Sequence, residues 1–146
     1  MTTATSTTFV SSAPTRRWDL VGRGLMIFNA VTTFAVFING LFLMGAADDD
    51  RLMVEGWRTF GYLVFAAMWA MLAYRPRQVP AMWEMVIVHK VAAAILALTI
   101  THTTEGMQSS ITDSWVALST IFAYIVCRGW QSWRVVRRGQ SSASAA

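Results

Sequence analysis

Four long apolar blocks separated by short polar breaks dominate the chain, over residues 20–44, 57–74, 80–100 and 111–127. Each is close to the roughly 17–25 residues that a helix needs to cross the hydrocarbon of a bilayer. A water-soluble four-helix bundle would instead carry a broad charged face at helical spacing. Here the first block holds only Arg23, near its start, and the fourth holds only Asp113, also near its start. The pattern predicts an all-α fold, an integral membrane four-helix bundle over residues 16–138.

The breaks between blocks have their own chemistry. Gly45-Ala46-Ala47-Asp48-Asp49-Asp50-Arg51 is too polar to stay in lipid. Arg75-Pro76-Arg77-Gln78-Val79-Pro80 reads as a tight hairpin, with Pro80 in the first turn of the third helix. Residues 101–110 are polar and contain Gly106. Residues 1–15, rich in Thr, Ser and Ala, lack the charged start and apolar core of a signal peptide. They are expected to form a disordered cytoplasmic tail, and residues 139–146 a second one.

Arginine placement predicts the orientation. Arg16, Arg17, Arg23, Arg75, Arg77, Arg128, Arg134, Arg137 and Arg138 share one side of a four-crossing topology, and only Arg51 and Arg58 fall on the other. The positive-inside rule then puts both termini in the cytoplasm of a cell (inner) membrane protein. Six tryptophans support the boundaries: Trp18, Trp57, Trp83, Trp115, Trp130 and Trp133 lie near block ends, where an amphipathic ring favours the interface. Trp69 is the exception.

Composition narrows the function classes. The chain is 55% hydrophobic and 14% charged, with a net charge of +4. That charge does not indicate a nucleic-acid partner, because the arginines flank apolar blocks and do not line a polar helix face. The single cysteine, Cys127, excludes an internal disulfide and the paired-thiol chemistry of membrane oxidoreductases. No Cys/His spacing suits a structural zinc site, so no metal is expected. His89 and His102 are about 20 Å apart along one helix and cannot be the two axial ligands of one haem. No cofactor is expected.

Charge inside the membrane is the sharpest chemical signal. Lys90 lies about 15 Å into the third helix, close to mid-membrane. A lysine there is costly on insertion scales, so it should face the bundle or a wet cavity. Asn29, Thr32 and Thr120 fall at a similar depth and are its expected hydrogen-bond partners. His89 is adjacent but turned about 100° around the helix. Glu84, one turn inside the cytoplasmic boundary, is expected to pair with Arg75 or Arg77. Asp113, Thr120, Tyr124 and Cys127 form a stripe on the fourth helix, and Arg58, Tyr62, Phe65 and Trp69 share a face of the second. These residues predict a central polar cluster walled by aromatics. Its ligand-binding candidates are Asn29, Thr32, Phe65, Trp69, Lys90 and Thr120. Its candidates for acid-base chemistry are Lys90, His89, Glu84, Tyr124 and Asp113.

Length, four hydrophobic blocks, cytoplasmic termini and a charged residue or two within the helices resemble the DoxX-like group of small bacterial membrane proteins. The likeness covers residues 16–138 as topology. The group's first helix usually ends in a glycine soon followed by a lysine, whereas Asn39-Gly40-Leu41-Phe42-Leu43-Met44 has none. No functional residue is carried over. The resemblance implies an accessory role in membrane redox complexes or quinone-related processes.

Three functions fit these features. The first is a non-catalytic accessory subunit or a binder of an apolar small molecule of the lipid or quinone class. Membrane lipids, a membrane-protein partner or a second copy of the chain are its expected partners. The second is a small membrane enzyme doing acid-base chemistry on an apolar substrate, such as an isomerase, cyclase or epoxide-opening hydrolase. The third is a small proton-coupled transporter, disfavoured because the first block lacks a carboxylate. Two ionisable groups converging on one cavity would favour the enzyme, and a lone lysine bonded to Asn or Thr would favour the binder.

Overall fold

The computed structural model describes residues 16–134; the two expected tails, with Arg137 and Arg138, lie outside them. Four helices follow in order, α1 (Arg16–Gly45), α2 (Asp49–Tyr74), α3 (Met82–Thr99) and α4 (Thr104–Val126), and a short 3-10 helix at Gly129–Ser132 closes the described chain. Short connections make consecutive helices antiparallel neighbours. α1 packs most extensively on α2, α3 on α4, and α1 also on α4, while α2 and α3 touch along only a short stretch.

The helices run past the apolar blocks on one side of the bundle. α2 starts at Asp49, because Asp49 and Asp50 sit in its first turn, where carboxylates favour the positive end of the helix dipole. α4 starts at Thr104, within the segment expected to be a break. Thr103 caps it by accepting a hydrogen bond from the Gly106 N–H at 3.0 Å. Gly106 is therefore helical. Pro80 lies outside α3, which begins at Met82 after Ala81 takes a left-handed φ of 66°. That backbone is uncommon for a residue with a side chain and stops the helix from extending back to the proline.

Three of the four helices, α1, α3 and α4, are long and apolar enough to cross a membrane. α2 is weakened on that measure by Trp57, Arg58, Tyr62, Trp69 and Tyr74. The outward surface carries Ile27, Phe28, Val31, Phe34, Val64, Val88, Leu96, Leu118 and Ile125, all exposed and drawn from all four helices. A monomeric soluble protein rarely exposes so continuous an apolar surface.

Packing divides the bundle in two. Met26, Trp69, Leu72, Ala73, Trp83, Val86, Ala123 and Cys127 form a buried core in the half that holds both described termini. Two glycines allow close approach. Gly22 lies against Cys127 and Val126 of α4, and a Cβ on Gly40 would come 2.7 Å from Thr59 Oγ1 of α2. Polar bonds close that same end. Asp19 accepts from Arg23 at 2.8 Å and from Arg77 at 2.6 Å. Arg77 also donates to the Cys127 carbonyl, Arg23 to those of Ala73 and Tyr74, and the Trp83 indole to Pro76 O. Among the described residues the opposite half of the bundle holds no comparable apolar cluster, and there the helices surround a cavity.

Candidate functional site

The cavity has a volume of about 370 Å³ and lies in the half of the bundle that ends in the α1–α2 and α3–α4 connections. Three helices build most of its wall. α1 contributes Asn39 and Gly40, α2 contributes Glu55, Arg58 and Tyr62, and α4 contributes Gln108, Thr112 and Asp113. From α3 it receives Lys90 alone. The reason is the spacing: Glu55, Arg58 and Tyr62 follow at i+3 and i+7 on α2, and Glu105, Gln108 and Thr112 do the same on α4.

Lys90 and Asp113 form the deepest polar contact. Lys90 Nζ donates to Asp113 Oδ1 at 3.1 Å. Lys90 is 8% exposed overall, and the Asp113 side chain is 22% exposed. The ammonium also lies 4.6 Å from the centre of the Phe65 ring and 5.7 Å from that of Trp69, within cation–π range of both. A desolvated lysine is thus held by a carboxylate on one side and two aromatic faces on the other.

The rim carries a second set of charges. Glu55 accepts from Arg51 at 2.9 Å and from Arg58. Arg58 also stands 3.6 Å from Glu105, linking α2 to α4 across the mouth. Glu55 precedes the apolar stretch that starts at Trp57. The Arg51 hydrogen bond is the main influence holding its carboxyl below the usual carboxylate range, against the effect of burial and with the charge of Arg58 adding to it.

A layer of neutral bonds lies under the floor. The Trp69 indole donates to Thr120 Oγ1 at 3.0 Å, and Thr120 donates to the Val116 carbonyl at 2.6 Å. Asn29 Nδ2 donates to Ser119 Oγ at 2.9 Å. Asn29 Oδ1 is buried without a partner, a cost that a bound water or ligand would relieve.

These contacts correct several sequence expectations. Lys90 bonds Asp113, and not Asn29, Thr32 or Thr120. Depth alone had suggested those three; helical phase turns them elsewhere. Thr32 is exposed and bonds its own helix through the Phe28 carbonyl. Glu84 pairs with neither Arg75 nor Arg77. It accepts from the Tyr124 hydroxyl at 3.1 Å and from the Trp133 indole at 3.0 Å, because Asp19 takes Arg77. Glu84 and Tyr124 therefore sit together at the closed end and do not join Lys90. His89 is exposed, with its ring 4.4 Å from that of Phe65, in the sparse seam between α2 and α3. Of the candidate residues, the structure gathers Lys90, Asp113, Phe65 and Trp69, with Thr120 directly behind. Glu55, Glu105 and Gln108 were missed because they lie outside the apolar blocks, and Thr112, inside the fourth block, was not singled out. Their own i+3 and i+4 spacing was the available signal.

Among the described residues, no group of three or more His, Cys, Asp or Glu could hold a metal ion. The fold and the site together define a small helical bundle with a charged cavity reaching from one end to its middle. No family model, curated protein or solved structure matches the chain.

Proposed function

We propose that this chain crosses a cell membrane four times with both termini in the cytoplasm, and that it binds an apolar or amphipathic small molecule of the lipid or quinone class in its outward-opening cavity. The apolar outer surface, the three membrane-length helices α1, α3 and α4, and the antiparallel packing of α2 on α1 support the crossings. Arg16, Arg17, Arg23, Arg75, Arg77, Arg128 and Arg134 at the closed end support the orientation. A topology-level likeness to the DoxX-like group is consistent with an accessory role in membrane redox assemblies.

The observation that carries the binding reading is the accessible cavity of about 370 Å³ itself; the Lys90–Asp113 pair on its floor, by the criterion set from the sequence, points to the enzyme. Ionisable groups within a membrane bundle are costly and mark substrate or ion pathways. A cavity of this size falls in the range of small-molecule sites.

The same pair favours a second reading. Two ionisable groups of opposite type converge on one space, which is the arrangement acid-base chemistry needs. An isomerase, cyclase or epoxide-opening hydrolase would use Lys90 and Asp113, with the Tyr62 hydroxyl in the same wall. Glu84 and Tyr124 are too remote to share that work.

Native mass spectrometry of the protein released from its own membrane tests the binding reading. A small-molecule adduct on the wild type, absent from the double variant Lys90→Met/Asp113→Leu, is expected. The same adducts on both proteins, or none on either, would end the binding proposal. An adduct whose mass changes on incubation would move the assignment to the enzyme.

A further inference from the structure

Lys90 has more hydrogen-bonding capacity than its contact with Asp113 consumes. An ammonium carries three N–H donors. One goes to Asp113 Oδ1, and the Phe65 and Trp69 faces attract the charge without offering a lone pair in the plane of a carbonyl or carboxylate. Lys90 lines the cavity, so its remaining donors are available to an occupant. Asp113 also lines the cavity, and a carboxylate has about four acceptor positions, of which the lysine takes one. A donor and an acceptor thus stand side by side at one point of the wall.

Charge then selects among head groups. The ionised side chains on the cavity wall are Arg58 and Lys90 against Glu55, Glu105 and Asp113, and Arg51 on the outer side of Glu55 completes the balance. A cationic head would compete with Lys90 for Asp113, and an anionic head would compete with Asp113 for Lys90. Either one leaves a partner of a mid-bundle pair without its counter-charge, an outcome that costs more the less water reaches the pair. An uncharged head that both accepts and donates a hydrogen bond engages Lys90 and Asp113 together and leaves their ion pair intact.

The apolar part of such a molecule has a route. α2 and α3 touch along only a short stretch, and Phe65 and His89 meet in that seam beside Lys90. Their rings are in contact at 4.4 Å, so a chain passing from the cavity floor to the apolar outer surface at Val64 and Val88 requires the two side chains to part.

Resting on the small-molecule reading above, we infer that the ligand is an uncharged amphipath whose head is a hydroxyl or carboxamide bound by Lys90 and Asp113, with its apolar chain between α2 and α3. Three probes with one tail and different heads test this: 1-dodecanol, dodecyl phosphate and dodecylammonium, titrated against the protein in nanodiscs with adduct occupancy read by native mass spectrometry. The wild type should reach half occupancy with dodecanol at a concentration at least tenfold lower than with either charged probe. The Lys90→Met/Asp113→Leu variant should lose that preference. Its pair is replaced by apolar groups of similar size, so it is expected to fold. Equal or tighter binding of a charged probe to the wild type overturns the head-group assignment and leaves the cavity as a small-molecule site. A preference for dodecanol that persists in the double variant overturns the role of the pair. Binding of none of the three overturns this inference and leaves the small-molecule reading to the native-adduct test above.

Discussion

The indole N–H of Trp69 donates to Thr120 Oγ1 at 3.0 Å across the α2–α4 interface, and both side chains are fully buried. Trp69 is also in the cavity wall and in the apolar core. It is therefore the partition between the two halves of the bundle. That gives a structural role to the one tryptophan that the sequence sets apart from the ends of the apolar blocks.

Replacing Thr120 by Val keeps the side-chain shape and removes the acceptor. The indole N–H is then buried without a partner, which costs about 1–3 kcal/mol. Thermal unfolding in detergent should show a lower midpoint for Thr120→Val than for the wild type. Thr32→Val serves as the control, because Thr32 is exposed and bonds only its own helix. An unchanged midpoint for Thr120→Val would mean that the Trp69 bond is not closing the floor.

Lys90 and Asp113 should behave as a unit. Removing one partner of a buried pair leaves the other charge uncompensated and costs up to about 3–5 kcal/mol. Lys90→Met and Asp113→Leu should each lower stability, and the double variant should recover much of the loss. Equilibrium unfolding of the four proteins gives the coupling energy directly. Additive losses would show that cavity water screens the two charges from each other. The lysine would then be held by Phe65 and Trp69 in place of the carboxylate.

Much of this arrangement was legible in the sequence. Four apolar blocks gave four helices, because a stretch near 20 apolar residues has few other ways to satisfy its backbone once in lipid. The prominence of Lys90 was legible as well, since an ammonium in the middle of an apolar block demands a partner. Which partner was not. Asn29, Thr32 and Thr120 share the depth of Lys90 while Asp113 lies about two turns from Thr120 along α4, and only the rotation of each helix about its axis turns Asp113 toward the lysine and the other three away. Rotation depends on side-chain packing such as Gly22 against Cys127 and Gly40 against Thr59, which a hydropathy pattern does not contain. The cavity rim was hidden differently. Glu55 and Glu105 sit in segments whose polarity reads as loop, yet acidic first turns and the Thr103 cap make both segments helical.

The two ends of the bundle make opposite predictions about chemical access. Cys127 is fully buried at the closed end, its Sγ 3.7 Å from the Asp19 carbonyl, with Arg77 bonded to its own carbonyl. Its position near the cytoplasmic end of the fourth apolar block predicts only that a permeant maleimide labels it more readily than an impermeant one added outside. Its packing predicts slow labelling from either side in the folded protein. Asp19 holds the plug together through Arg23 and Arg77. Asp19→Asn should therefore raise the rate for a permeant maleimide several-fold, with little change for an impermeant one added outside. Single cysteines at Ala47 and His102, in a Cys127→Ala background, should label rapidly with the impermeant reagent, and a cysteine at Gln78 should not. Those three positions lie in the three connections between helices, so their pattern reads the topology directly. Outside labelling at Gln78 would invert the orientation, turn the cavity toward the cytoplasm, and remove the basis for an outward-opening site.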